Sequence, residues 1–212
     1  MSIELINEFH NLWRQECLND QLQFLGVKTC KSPMDLWVYQ EIIHEVKPQL
    51  IVECGTYEGG STLFFASMME LNEIDGAVLS IDIQSRDNRP QHPRISYLTA
   101  NSITDGYEEA KALAQYHSPC LVILDSNHHK AHVLRELNLY SNLVSVGSYL
   151  IVEDSDLNGH PTKGMSYWNL GLEGPHEALV EFLETHDNFV IDKSREKFLI
   201  TVCKDGFLQR VH

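Results

Sequence analysis

Two strongly apolar runs end in acid. "CLVILDS" closes near Asp125, and "SYLIVED" closes on Glu153 and Asp154. Neighbouring parallel strands lie only ~4.8 Å apart. If these runs are adjacent strands, their carboxylates converge at one end of a sheet, which is costly unless a proton or a cation compensates them. Carboxylate oxygens suit a hard divalent ion, Mg²⁺ first, with Ca²⁺ or Mn²⁺ compatible. A plainer alternative stays open. Successive strand residues face opposite ways, so one of Glu153 and Asp154 would then serve only the following loop. Asp156 is a spare member of the group. His128, His129 and His132 follow Asp125 in "NHHKAH". With the acids they would suggest zinc or iron. As the opening of a helix, His128 and His132 share a face at i, i+4, and capping or surface roles explain them equally well. His128, nearest the acids, is the candidate general base.

A second set of residues fits a nucleoside-bearing ligand. In "VECGTYEGGS", Gly55, Gly59 and Gly60 allow a sharp turn and close backbone approach, although a plain strand-to-helix turn explains them too. The spacing is not G-x-G-x-x-G, so the dinucleotide fingerprint is absent. Asp82 ends the apolar run "LSIDI", where an acid can accept hydrogen bonds from ribose hydroxyls. In "ANSITD", Asn101, Ser102 and Asp105 suit an adenine edge, or Ser102 and Asp105 cap the next helix.

These residues need a scaffold that gathers strand ends. "QLIVECG", "GAVLSIDI", "ISYLTA", "CLVILDS" and "SYLIVED" read as strands, several of them apolar on both faces. "GSTLFFASMMEL", "DGYEEAKALAQY", "KAHVLRELNLYSNLV" and "GPHEALVEFLETH" alternate with them as helices, Pro175 suiting a first helical position. The pattern predicts an α/β fold with a mostly parallel, helix-covered sheet, whose ligands lie beyond the carboxyl ends of the strands. "NFVIDK" and "KFLITVCK" read as two closing antiparallel strands. Ahead of the sheet, Ile3, Leu5, Ile6, Phe9 and Leu12 fit one face of a helix. Leu36, Tyr39, Ile43 and Val46 fit another, stopped by Pro48, with Trp37 and Tyr39 expected in the core. "GVKTCKSP" between them reads as a loop that packs over something. Residues 1–48 form a helical segment that covers substrate or builds an oligomer contact, and 49–212 form the main domain. The glycine-rich stretch Asp156 to Gly174 reads as a lid, with Lys163, Tyr167 and Trp168 placed to cover a substrate.

Composition narrows the partners. The 212 residues carry a formal charge of -14, which disfavours duplex nucleic acid and anionic membranes and favours a cation or a cationic ligand. The five cysteines form no CxxC, and Cys54, Cys120 and Cys203 lie in apolar runs, as in a reducing compartment. The N-terminus lacks a charged region ahead of an apolar one, and no apolar run reaches the ~20 residues of a bilayer span, so the expectation is cytoplasmic.

Taken in order, "VECGTYEGGST", "SIDI", "ILDSNHHKAHVLREL", "GSYLIVEDSD" and "REKFLITVCKDGFLQR" resemble the cephalosporin hydroxylase-like group of class I S-adenosylmethionine-dependent methyltransferases, which includes sugar O-methyltransferases. The resemblance runs from about residue 27 to the end. It implies a Rossmann-like, mostly parallel seven-stranded sheet with helices on both faces and an antiparallel final strand. It places S-adenosylmethionine on Glu53, Gly55, Thr56, Tyr57, Gly59, Gly60 and Ser61, with Asp82 at the ribose and Asn101 and Ser102 nearby. It gives the divalent ion to Asp125, Glu153 and Asp154, and it favours a homo-oligomer. The expected reaction is Mg²⁺-dependent O-methyl transfer to a small molecule with adjacent oxygens, with Asp125 and His128 acting at the acceptor. Rival readings are an accessory subunit of a hydroxylase system that binds cofactor and metal without transferring methyl, and a nicotinamide-dependent oxidoreductase, which the missing glycine fingerprint disfavours.

Overall fold

The computed structural model describes residues 2–157, 159–160 and 172–212. Helix α1 (Ile3–Gln15) leads through a short hairpin, β1 (Gln23–Phe24) and β2 (Val27–Lys28), into α2 (Pro33–Val46). Then β3 (Leu50–Cys54), α3 (Gly60–Leu71), β4 (Ala77–Asp82), β5 (Ile95–Thr99), α4 (Asp105–Ala114), β6 (Cys120–Leu124), α5 (Lys130–Tyr140) and β7 (Tyr149–Val152) alternate. The described chain closes with α6 (Pro175–Leu183), β8 (Phe189–Ile191) and β9 (Phe207–Arg210).

The seven-stranded sheet has the order β5-β4-β3-β6-β7-β9-β8. The first five in that order are parallel, and β9 runs antiparallel to both β7 and β8. Every residue of β3, β6 and β7 is buried, which is why these strands show no polar–apolar alternation, Glu53 being the one charged residue among them. Alternate residues feed opposite faces. Leu50, Val52 and Cys54 pack with Val133, Leu137 and Phe182 of α5 and α6, whereas Ile51 packs with Tyr39, Ile42 and Phe65 of α2 and α3. The fold is thus the mixed, helix-covered sheet anticipated above. No described helix is long and apolar enough to cross a membrane.

Three local expectations are corrected. The apolar positions of α1 face outward: Ile3, Leu5, Phe9 and Leu12 are 72%, 54%, 48% and 54% exposed, and the buried side chains are His10 and Arg14. Both buried groups meet Asp156, so ion pairing fixes this helix's orientation. "KFLITVCK" is not a strand. Asp35 of α2 accepts hydrogen bonds from Thr201 Oγ1 (2.6 Å) and the Val202 amide (2.9 Å), so a side chain takes the place of a sheet ladder, and the last strand lies further on at "FLQR". Trp37 is exposed, whereas Tyr39 is fully buried.

Candidate active site

The sheet register builds the site. Leu124 pairs with Val152, so Asp125 and Glu153 leave adjacent strands side by side. The Asp125 amide donates to the Cys54 carbonyl (2.8 Å), drawing the loop after β6 against the one after β3. Only glycine fits at the contact: Gly55 has φ +99°, and a Cβ there would lie 1.9 Å from the Asp125 carbonyl oxygen. Beyond these strand ends opens a cleft of about 720 Å³, a size that suits a small-molecule ligand. Its walls come from the loops after β3, β4, β5, β6 and β7, and from Trp13 and Arg14 of α1.

Ligand atoms of Asp125, His128 and Asp154 lie within 4.8 Å of one another on one rim of this cleft. His128 Nε2 is 3.1 Å from Asp154 Oδ2 and 3.4 Å from Asp125 Oδ1. Burial favours a neutral imidazole, but Asp154 and Asp125 outweigh it and push the His128 pKa up to about 9. His128 is therefore a cation at neutral pH, occupying the mouth between two carboxylates. Burial likewise opposes the Asp154 charge, yet Arg14 and His128 hold its pKa at about 2. Asp154 itself sits at φ +58°, a backbone state in which it takes Arg14 on one oxygen (2.8 Å) and His128 on the other.

Glu153 faces differently. Its Oε1 accepts from the Tyr39 hydroxyl and from Lys31 Nζ at 3.0 Å. Lys31 also reaches Asp125 Oδ2 at 2.5 Å, so one fully buried ammonium ties the two acids together from below the cleft. Of the two orientations left open by strand alternation, Asp154 points with Asp125 to the cleft and Glu153 points inward. Asp156 is buried against Arg14 and His10 rather than beside Asp125.

The glycine-turn residues divide into two groups. Gly55, Tyr57, Asp82, Asn101 and Ser102 line the cleft. Asp82 Oδ2 accepts from the Tyr57 amide (2.8 Å) and from Arg89 (2.9 Å). Glu53, Thr56, Gly59, Gly60 and Ser61 stand behind that wall. Glu53 is completely buried and accepts from the hydroxyls of Ser61 (2.5 Å), Thr62 (2.5 Å) and Ser80 (2.6 Å), which fastens the start of α3 to the sheet. A Cβ at Gly60 would meet the Lys28 carbonyl oxygen at 2.3 Å, so this glycine admits the β1–β2 hairpin that delivers Lys31. His129 caps α5, which begins at Lys130, so His128 and His132 do not share a helical face. His132 Nε2 instead meets the hydroxyls of Ser102 and Ser126, each at 3.2 Å, beside buried Glu136. Lys163, Tyr167 and Trp168 lie outside the described residues.

Sequence reasoning missed Lys31, Arg14 and His10. Lys31 lies 94 residues from Asp125 and Arg14 lies 142 from Asp156, separations that no local periodicity reports. The available signals were slight: two lysines, Lys28 and Lys31, in a loop expected to cover something, and cationic residues on the polar side of α1.

Comparison with known proteins agrees with this architecture. The pattern of the family described as Rhamnosyl O-methyltransferase/CmcI matches residues 16–211. The rhamnosyl O-methyltransferase of Mycobacterium leprae (strain TN) is 35% identical over 212 residues, covering 97% of this chain and 90% of that protein. Its namesake from Mycobacterium tuberculosis (strain ATCC 25618 / H37Rv) is 33% identical over 211 residues, covering 96% and 84%. Among solved structures, apo CmcI aligns with a TM-score of 0.68 at 24% identity, over 91% of this chain and 77% of that one. CmcI with Mg and SAM aligns at 0.66 and 21%, over 91% and 78%. The match spans nearly the whole chain, and the chain belongs to the rhamnosyl O-methyltransferase/CmcI family.

Proposed function

We propose that this protein is an S-adenosylmethionine-dependent O-methyltransferase that methylates a hydroxyl of a sugar-bearing small molecule with the help of a divalent cation, Mg²⁺ foremost. The observation that carries this reading is one cleft bounded on one side by the glycine turn and Asp82, and on the other by Asp125, His128 and Asp154. Membership in a family whose named relatives are rhamnosyl O-methyltransferases gives the acceptor class.

The residues fit a hard cation. Asp125 Oδ1 and Asp154 Oδ2 face the cleft with only the His128 imidazolium between them, so that position already favours positive charge. Asp125 and Asp154 are the proposed primary ligands, with Glu153, held beside Asp125 by Lys31, as the third carboxylate. Bound S-adenosylmethionine would supply an activated methyl group, and an ion held by Asp125 and Asp154 would lower the pKa of an acceptor hydroxyl. Lys31 and Arg14 hold the carboxylates in place, which would orient an acceptor hydroxyl toward the methyl donor. In its neutral form His128, whose Nε2 lies between the two carboxylates, would be the acceptor for the hydroxyl proton. Tyr57, Asp82, Asn101 and Ser102 form the proposed cofactor wall, and Gly55 lets backbone approach it. The segment 1–48 closes the acceptor side through Trp13 and Arg14.

The test is transfer of labelled methyl from S-adenosylmethionine to a panel of free sugars, glycosides and catechols, with and without Mg²⁺. Labelled methyl ether on a glycoside, suppressed by chelator, is expected. Cofactor binding with no labelled product from any acceptor would instead make the chain an accessory binding subunit.

A further inference from the structure

A second group of metal-ligating side chains lies apart from the cleft rim. His10 of α1 meets Asp156 and His160, which lie four residues apart in a turn closed by the His160 amide on the Asp156 carbonyl (3.0 Å). Their ligand atoms fall within 4.8 Å of one another, and the three residues are only 5%, 2% and 8% exposed. His10 Nε2 is 2.8 Å from Asp156 Oδ2. The two imidazoles stack with centroids 3.9 Å apart and planes 16° from parallel. His160 Nδ1 is buried and has no hydrogen-bond partner among the described residues. A buried polar atom without a partner costs about 1–3 kcal/mol, so the orphan nitrogen points to a missing ligand.

We infer that His10, Asp156 and His160 form a second divalent-metal site, selective for a borderline ion of the Zn²⁺ class and separate from the cleft carboxylates. Two imidazoles and one carboxylate are a nitrogen-rich set that ranks Zn²⁺ or Co²⁺ far above Mg²⁺, whereas the carboxylate oxygens of Asp125 and Asp154 discriminate much less and are kept filled by excess Mg²⁺. Donors around a four-coordinate ion at ~2.1 Å stand about 3.4 Å apart, so a rotation of one stacked ring completes the set, with water as the fourth ligand. Arg14 separates the two centres. Its guanidinium donates to Asp156 and, at 2.8 Å, to Asp154, so each centre keeps a carboxylate and neither shares one. The ion would clip α1 to the turn after β7, fixing the helix that carries Trp13 and Arg14 into the cleft. This inference concerns residues outside the proposed methyl-transfer site and stands independently of that reaction.

The experiment uses the full chain, stripped with chelator and titrated with Zn²⁺ in excess Mg²⁺, with bound metal counted by mass spectrometry. Wild type is expected to hold one equivalent. His10→Ala and His160→Ala should each weaken Zn²⁺ binding by about 100-fold, while Asp125→Asn keeps it. No Zn²⁺ retained by wild type, or retention lost in Asp125→Asn but kept in the histidine variants, overturns the inference. Because a variant can lose its fold, X-ray absorption of Zn²⁺-loaded wild type provides a second reading. Two imidazole ligands are expected, and fewer than two overturns the site.

Discussion

Lys31→Met is the sharpest probe of how the carboxylates are held. Lys31 is 1% exposed, and its ammonium lies 2.5 Å from Asp125 and 3.0 Å from Glu153. Burial disfavours its charge, yet Asp125, Glu153 and Glu53 keep its pKa well above the ordinary lysine value. Unit charges 3 Å apart attract by ~5 kcal/mol at an effective dielectric near 20. Desolvation offsets most of that gain in the intact pair, but removing one partner strands the other, at a cost of about 3–5 kcal/mol. Methionine preserves most of the stem's volume, so the loss reports charge. Against a total stability of about 5–15 kcal/mol, the metal-free variant should be only marginally folded. Mg²⁺ should narrow the deficit, because carboxylates freed of Lys31 bind the ion more tightly, and saturation at 100 times Kd is worth about 2.7 kcal/mol. Urea unfolding of wild type and variant, with and without Mg²⁺, measures both quantities. Adding Glu153→Gln should recover part of the metal-free loss, since a neutral amide no longer needs the cation. A deficit below about 1 kcal/mol, or one that saturating Mg²⁺ leaves unchanged, refutes the reasoning.

Three further outcomes follow from the same geometry. His128 has a folded pKa of about 9, above its unfolded value, so its stabilisation is complete below about pH 6.5 and disappears as pH rises through 9; metal-free protein should lose about 3 kcal/mol across that window by urea unfolding, and His128→Asn should be flat. Asp125→Ala should abolish ion-dependent methyl transfer while S-adenosylmethionine affinity, read by calorimetry, stays near wild type; parallel loss of both contradicts separate cofactor and ion positions. Asp82→Ala removes the acceptor for the Tyr57 amide and for Arg89 as well as the proposed ribose contact. It should weaken cofactor binding about 10- to 100-fold without altering Mg²⁺ affinity, and an unchanged cofactor titration removes Asp82 from the wall.

The sheet was legible because its signal is local. Runs such as "CLVIL" and "YLIV" are apolar at every position since both faces are covered, and Asp125 and Glu153 mark where those runs end. The final strand was misplaced for an equally physical reason. "KFLITVCK" has strand composition, but its backbone is claimed by Asp35, a residue 166 positions from Thr201. Composition reports that a segment is buried and extended, while the partner of each amide is a tertiary fact. Glu153 and Asp154 show the same limit on a smaller scale. Strand alternation separates their directions, and what each side chain meets is determined by residues distant in sequence, Lys31 and Tyr39 for Glu153, Arg14 and His128 for Asp154.

Helix α1 shows which force wins when two disagree. An amphipathic helix ordinarily turns its apolar stripe inward, gaining about 1.5–3 kcal/mol for each large side chain fully buried. Here that gain is forgone at Ile3, Leu5, Phe9 and Leu12. Turning the stripe inward would withdraw Arg14 from Asp154 and Asp156, leaving two carboxylates in a poorly solvated pocket without their main counter-charge. Each stranded charge costs several kcal/mol, comparable to the whole apolar gain, and the displaced arginine and histidine would lose their own hydrogen bonds as well. Asp154 at the cleft and Asp156 behind it therefore dictate the orientation of a helix more than 100 residues away in sequence. Chemistry at the sheet's rim sets the packing of the N-terminus.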